Sequence, residues 1–448
     1  MTAASVAGSY TMGFTSMMSD LNCNHLEAIS GLSTYALGFA IVPLISASLS
    51  EEFGRKPLYN YSGLIFFLMF AMIALAKNVQ TVIIGRLLQG MAGSTCATVV
   101  GGTIADIWSP KDRGIPMAVF SLAAVGGTGF GPLIGGWIEM NPTLQWRWIQ
   151  WIQMIGQFVF LLLTLVMRET RPEILLEHRA KQLRKETGDN RYRARVEVER
   201  PKLVNLLMVS CARPLYLTFT EPIVTAISLW IGLTWGVIFN FLSTIPLVYQ
   251  TVHHFNIGLI GTTYVSMIIG AILGFLTILK QQSLYLYVGF QYLDASTLAN
   301  QRHRQNYSKR GPEARLYAAC AAGLMFPAAM FIYAWSTLPQ VHWIVPNIGI
   351  TLLMWAAYII YQTVFSYLSD CYGTWASSAS AGQSLTRNLI ATVFPLFATQ
   401  MFERLSYKWA CTLFACLGVI MAPIPFVLFF WGPAIRKRSK VASRLTEI

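Results

Sequence analysis

Long apolar runs separated by short polar breaks constrain this chain more than any other feature. Twelve such stretches occur, at 3–19, 28–49, 57–76, 80–105, 115–138, 148–167, 222–249, 258–279, 316–336, 341–367, 376–400 and 409–432. A helix of roughly 20 apolar residues crosses a bilayer and satisfies its own backbone groups there. Only 12% of the residues are charged and the mean hydropathy is +0.50. A soluble domain carries roughly 25% charged residues, so too little charge is left here to cover a water-facing surface. The runs fall six and six around a charged stretch at 168–220, which is too polar to cross a membrane and is expected to be a linker with some surface helix. A second polar stretch, 280–315, separates the eighth and ninth runs.

The net charge of +13 is explained by topology rather than by nucleic acid. With the N-terminus inside, loops 50–56, 106–114, 168–220, 280–315 and 433–448 hold 27 of the 33 Lys and Arg residues. Both termini are therefore expected in the cytoplasm. Arg436, Lys437, Arg438 and Lys440 then lie where anionic headgroups are. The seven cysteines show no CxxC spacing and read as small packing residues. The first run has no charged leader or cleavage site and is unusually polar, with Ser5, Ser9, Tyr10, Thr11, Thr15 and Ser16. It is expected to face a water-filled cavity, and an N-terminal tail is expected to be missing.

Several local patterns carry chemistry. The loop Ser50-Glu51-Glu52-Phe53-Gly54-Arg55-Lys56-Pro57 sets paired acids beside paired bases at a tight turn. It reads either as a latch between helix ends or as an ordinary basic loop. Arg86, with Gln89 one turn on, sits well inside an apolar run, where a cation needs a partner or water. Residues 126–136 hold six glycines and Pro132, which would disrupt a soluble helix but lets membrane helices approach closely. Tyr35, Trp230, Trp235, Tyr249, Trp355, Tyr358 and Tyr361 either pack or line a cavity for a flat or cationic ligand. From the aromatic residues, Tyr10, Trp235, Tyr358 and Tyr361 are taken as the cavity set. His253 and His254 lack further ligands and read as an interfacial pair. Asp370 reads as a structural acid at a helix end or as a proton carrier.

The loop at 50–57 resembles the loop 2–3 signature of the major facilitator superfamily, commonly G-x-L-x-D-R-x-G-R-R. Glu51 takes the Asp place, Gly54 the second Gly, and Arg55 and Lys56 the basic pair. Ala47 replaces the first Gly and Glu52 a base. The form S-E-x-x-G-R-[RK]-P is similar to the fungal drug:proton antiporter branch. Arg86-Leu87-Leu88-Gln89-Gly90 resembles its R-x-x-Q-G motif. Gly127, Gly131, Pro132, Gly135 and Gly136 match its G-x-x-x-G-P-x-x-G-G antiporter pattern. Asp106-Ile107-Trp108 through Arg113 looks like loop 4–5, and Glu169-Thr170-Arg171-Pro172-Glu173 like the start of the central linker. Glu221-Pro222-Ile223, Gly311 to Leu316, Asp370-Cys371-Tyr372, Arg387 and Phe394 to Phe397 are branch-like as well. The 280–305 stretch looks longer than the family's loop 8–9.

The resemblance implies an all-α membrane fold of twelve helices in two pseudo-symmetric six-helix bundles. The expected division is 1–167, a linker at 168–220, 221–432, and a basic tail at 433–448. The implied function is proton-coupled export of small amphipathic compounds such as drugs, toxins, polyamine-like molecules or secondary metabolites. Glu51, Gly54, Arg55, Lys56, Asp106 and Arg113 would gate, Arg86 and Gln89 would tune proton coupling, and the glycine helix would seal the cavity. The expected partners are a small-molecule substrate, protons and lipid, with no nucleic acid. No cofactor or metal is expected, only the proton gradient, and the chain is expected to be a monomer in the plasma membrane. A nutrient importer, a non-transporting receptor and a membrane enzyme are the alternatives. The six histidines are scattered, which disfavours an enzyme of the desaturase type. The absence of a G-x-x-x-x-G-K-[ST] loop disfavours a nucleotide-driven pump.

Overall fold

The computed structural model describes all residues except 109–111, 195–196, 198–202, 291–310, 440 and 442–448. The part of the 280–305 stretch beyond Phe290 therefore lies outside the described residues, as do His303 and Lys440. In the first half, the first span is broken into α1 (Thr2–Met12) and α2 (Phe14–Leu21), and the second into α3 (His25–Ile41) and α4 (Pro43–Phe53). Then follow α5 (Arg55–Ala74), α6 (Val79–Ile107), α7 (Gly114–Glu139) and α8 (Gln145–Val166). Among its described residues the linker holds the helices α9 (Pro172–Thr187) and α10 (Leu203–Thr220).

The second half holds α11 (Pro222–Val252), α12 (Ile257–Thr263), α13 (Val265–Phe290) and a 3-10 turn at Gly311–Leu316. It continues with α14 (Tyr317–Ser336), α15 (Ile344–Tyr372), α16 (Ala376–Met421, broken at Ser406 with φ +61°) and α17 (Pro423–Arg438). The expected loop at 280 is still helix as far as Phe290. Among the described residues, nine helical stretches are long and apolar enough to span, and the bent α3–α4 pair makes ten. The first span and the part of α16 before Ser406 complete the twelve. Both hold many polar residues, Ser5, Ser9 and Thr11 in the first and Ser377, Ser378, Ser380, Gln383 and Ser384 in the second.

Helix starts follow local chemistry. Asn24 and Glu27 form a reciprocal cap on α3, and Asn78 and Asn256 cap α6 and α12. Prolines open α4, α9, α11 and α17, where the missing N–H costs nothing. Burial separates inner helices from outer ones. The most apolar window of α11 is 78% buried, but that of α8 is only 22%. The exposed Phe158, Leu162 and Leu163 on α8 suit lipid.

Two internal breaks are repaired by side chains. Pro43 cannot donate to the Phe39 carbonyl one turn back, and the Asn388 amide takes that carbonyl at 3.1 Å. Pro246 likewise frees the Leu242 carbonyl, and the Tyr264 hydroxyl donates to it at 3.0 Å. The halves meet along α3 against α16 and along α7 against α12 and α13.

Candidate functional site: a helix-end latch and two buried arginines

The 50–57 loop turns at Gly54, whose φ is +94°. Arg55 Nε donates to Asp106 Oδ2 at 2.9 Å, joining the start of α5 to the end of α6. Its Nη1 donates to the Ser50 hydroxyl. The carboxylate of Glu169 accepts the backbone N–H of Arg55 at 2.9 Å and of Lys56 at 3.0 Å. Those are unpaired donors at the positive end of α5, so a carboxylate from beyond α8 caps the helix. A Cβ on Gly54 would stand 2.5 Å from Glu169 Oε2. Burial alone would raise the Glu169 carboxyl, but backbone N–H groups of Arg171, Arg55, Lys56 and Thr170 together hold it below the ordinary carboxylate value. Arg113 folds back, donating to the carbonyls of Trp108 at 2.9 Å and Ala105 at 2.8 Å, which ties off the end of α6.

Of the two acids expected at the latch, Asp106 is the one that pairs with Arg55. Glu51 is exposed and belongs to no ion pair among the described residues. Glu169, at the start of the linker, adds the cap on α5. The second half has an analogous arrangement. Arg315 pairs with Asp370, and Arg436 Nη2 lies 2.8 Å from Glu313. Asp370 is thus placed in an ion pair at the end of α15.

Arg86 is fully buried. Its guanidinium carbon lies 3.6 Å from the centre of the Tyr10 ring and 5.5 Å from that of Tyr35. Nη1 donates to Gln89 Oε1 at 3.0 Å and Nη2 to the Val6 carbonyl at 3.3 Å. The three-residue spacing places Arg86 and Gln89 on one face of α6. No carboxylate pairs with Arg86 among the described residues.

The glycines of α7 divide into two faces. Added Cβ atoms at Gly127, Gly131 and Gly135 would meet α1, the closest being 1.9 Å from the Ser5 carbonyl at Gly131. At Gly136 a Cβ would stand 2.7 Å from the Ile257 carbonyl, on the α12 side. Gly8 on α1 answers with its own close approach to Pro132. Backbones touch because no side chains intervene.

The four aromatic residues chosen from sequence part company. Trp235 and Tyr361 stack with centres 5.2 Å apart, and Arg387 lies over both, at 4.9 and 5.2 Å. Tyr10 lies against Arg86 and donates to the Ala28 carbonyl at 3.1 Å. Tyr358 donates to the Ala118 carbonyl at 2.7 Å, tying α15 to α7. Ser121 on α7 also donates to Gln362 on α15. Sequence reasoning missed Gln362, Gln383 and Asn388, and a buried amide in an apolar run was the available signal. His253 packs near Tyr249 and Phe255. Burial first, then His342 and His254 nearby, lower its pKa. No group of three or more metal-binding side chains occurs among the described residues.

A family profile described as the Major Facilitator Superfamily matches residues 1–391. The chain belongs to that superfamily. Its members are membrane transporters, so this chain is an integral membrane transporter of small molecules and not an enzyme. Among similar relatives, the transporter paaT of Penicillium rubens is 34% identical over 92% of this chain and 72% of its own length. The multidrug transporter FLU1 of Candida albicans is 34% identical over 92% of this chain, which spans 65% of that relative, just under two thirds. Efflux pump atB of Aspergillus terreus is 34% identical over 92% of this chain and 84% of its own. The solved proton:xylose symporter XylE shares the superfamily fold at a TM-score of 0.62 and 16% identity, covering 96% of this chain and 94% of its own. The human organic anion transporter MFSD10 shares it at 0.56 and 16% identity, with coverages of 93% and 89%.

Proposed function

We propose that this superfamily member exports small amphipathic organic compounds in exchange for protons, by alternating access between its two six-helix halves. Relatives named as a multidrug transporter and an efflux pump, matched over 92% of the chain, are the observation that carries the export reading. Arg86 supports the proton-coupled part. Among the described residues it is a buried cation held by Gln89, a carbonyl and two rings, so its surroundings are sensitive to any charge or proton that arrives nearby. The glycine faces of α7 support a tight seal between α1 and the second half.

On this reading residues 1–167 and 221–432 form the two moving halves, 168–220 links them, and 433–448 is a basic tail. Glu51, Gly54, Arg55, Lys56, Asp106 and Arg113 belong to the gating end, with Glu169 added to them. Both termini face the cytoplasm, the chain works as a monomer in the plasma membrane, and the proton gradient replaces any cofactor. Nucleic acid plays no part. The test is export of a fluorescent amphipathic dye from cells expressing the chain, with and without a protonophore. Gradient-dependent export is expected, and Arg86→Ala is expected to abolish the dependence. Net accumulation of the dye would overturn export, and unchanged gradient-dependent export by Arg86→Ala would overturn the role given to Arg86.

A further inference from the structure

The distribution of charge inside the membrane is one-sided. Among the described residues, no Asp or Glu falls more than about one helical turn inside a span, counted at 3.6 residues per turn. Two arginines do. Arg86 lies about 10 Å along α6 and Arg387 about 16 Å along α16, at a rise of 1.5 Å per residue. Both are more than nine-tenths buried, and neither has a carboxylate partner among the described residues. Stacking on neutral rings orients a guanidinium but does not cancel its charge.

Arg387 is the less satisfied of the two. Among the described residues, Nη2 reaches only the Ser384 hydroxyl at 3.3 Å, and Nε and Nη1 have no acceptor. Gln383, one turn earlier on the same face, is fully buried, and neither of its amide atoms has a partner among the described residues. These donors border the seam between the halves, because the next residue, Asn388, donates across it to the Phe39 carbonyl. The Phe39 ring is 5.1 Å from that of Tyr35, which lies beside Arg86. One chain of contacts thus runs from Asn388, next to Arg387, across the seam to the ring beside Arg86. Buried donors left without acceptors are costly, and an acceptor that carries negative charge repays both the hydrogen bonds and the field.

We propose that the compounds this transporter moves are amphipathic organic anions. A carboxylate or phenolate is taken by Arg387 and Gln383, and its aromatic body lies against Trp235 and Tyr361. This rests on the export reading and narrows it, since cationic compounds would meet two uncompensated positive charges and no acid.

The test uses the full chain and two dyes, carboxyfluorescein as anion and rhodamine 6G as cation. Transport is followed in proteoliposomes under a pH gradient, and binding by fluorescence polarisation on purified protein. Wild type is expected to bind and move the anion at least roughly tenfold better than the cation. Arg387→Gln is expected to lose about tenfold or more in anion binding while eluting as wild type, and Arg387→Lys to keep the anion preference with weaker binding. Preference for rhodamine, or undiminished anion binding by Arg387→Gln, would overturn the proposal. Anion binding that is lost in Arg387→Gln, without transport of either dye, would uphold the site and sink the export reading alone. Absence of anion binding to wild type would sink the site.

Discussion

The side-chain amide of Asn388 donates to the main-chain carbonyl of Phe39 at 3.1 Å, across 349 residues of chain and across the seam between the halves. Phe39 offers that carbonyl because Pro43, one turn later, has no N–H to claim it. A backbone defect in one half is thus the docking point for the other. Asn388→Ala is expected to lower stability by about 0.5–2 kcal/mol, read as a fall in melting temperature of the purified protein. Pro43→Ala should restore the helical bond to Phe39. Combined with Pro43→Ala, the Asn388 substitution should then cost measurably less than alone, and equal costs in both backgrounds would refute the coupling.

Gly54→Ala is expected to disable the latch. A Cβ there meets both an unfavourable φ of +94° and Glu169 Oε2 at 2.5 Å. The expected cost is about 1–3 kcal/mol, with a fall in transport rate. Wild-type melting and transport in this variant would show that Glu169 does not need its seat.

Glu169 also sets a pH dependence. Its folded pKa lies below the ordinary 4.5, so the stability it contributes is present above 4.5 and is lost as pH falls through the lower, folded value. Glu169→Gln should remove that acid-side component. Melting curves between neutral pH and the acid limit of the wild type would then differ most at neutral pH and converge on acidification. A constant offset across the range would contradict the assignment.

The glycines of α7 and α6 provide a paired test of packing. Gly131→Ala places a methyl 1.9 Å from the Ser5 carbonyl. It should cost about 1–3 kcal/mol or prevent folding, because backbone cannot move aside as a side chain can. Gly101→Ala on α6 meets nothing within 4 Å. It should be neutral or slightly stabilising, by up to about 1 kcal/mol from helix propensity. Gel-filtration yield and melting temperature separate the two.

Much of the architecture was legible in residue order alone. The expected second span at 28–49 is found as α3 and α4, the fourth at 80–105 as α6 from Val79 to Ile107, and the seventh at 222–249 as α11 from Pro222. Such spans are readable because a membrane helix satisfies its backbone within one segment, so local composition decides it. The eighth span, expected at 258–279, is found at Ile257–Gln281, and the helix itself runs on past the apolar zone to Phe290. Arg55 was legible as a latch residue from its place at a glycine turn. Asp106 was legible through the resemblance, but the cap by Glu169 was not, because that carboxylate reaches α5 from beyond α8 only once the helices pack.

Sequence by itself determined the succession of membrane spans, the glycine-rich helix and the isolated position of Arg86, because each is a property of one segment read along its length. Only the tertiary structure decided that Glu169 caps α5, that Trp235 and Tyr361 stack beneath Arg387 while Tyr358 ties α15 to α7, and that Asn388 answers the break at Pro43. Those pairings join segments tens to hundreds of residues apart, and a freed carbonyl or an unpaired guanidinium does not specify its partner until helix packing brings one within hydrogen-bond reach.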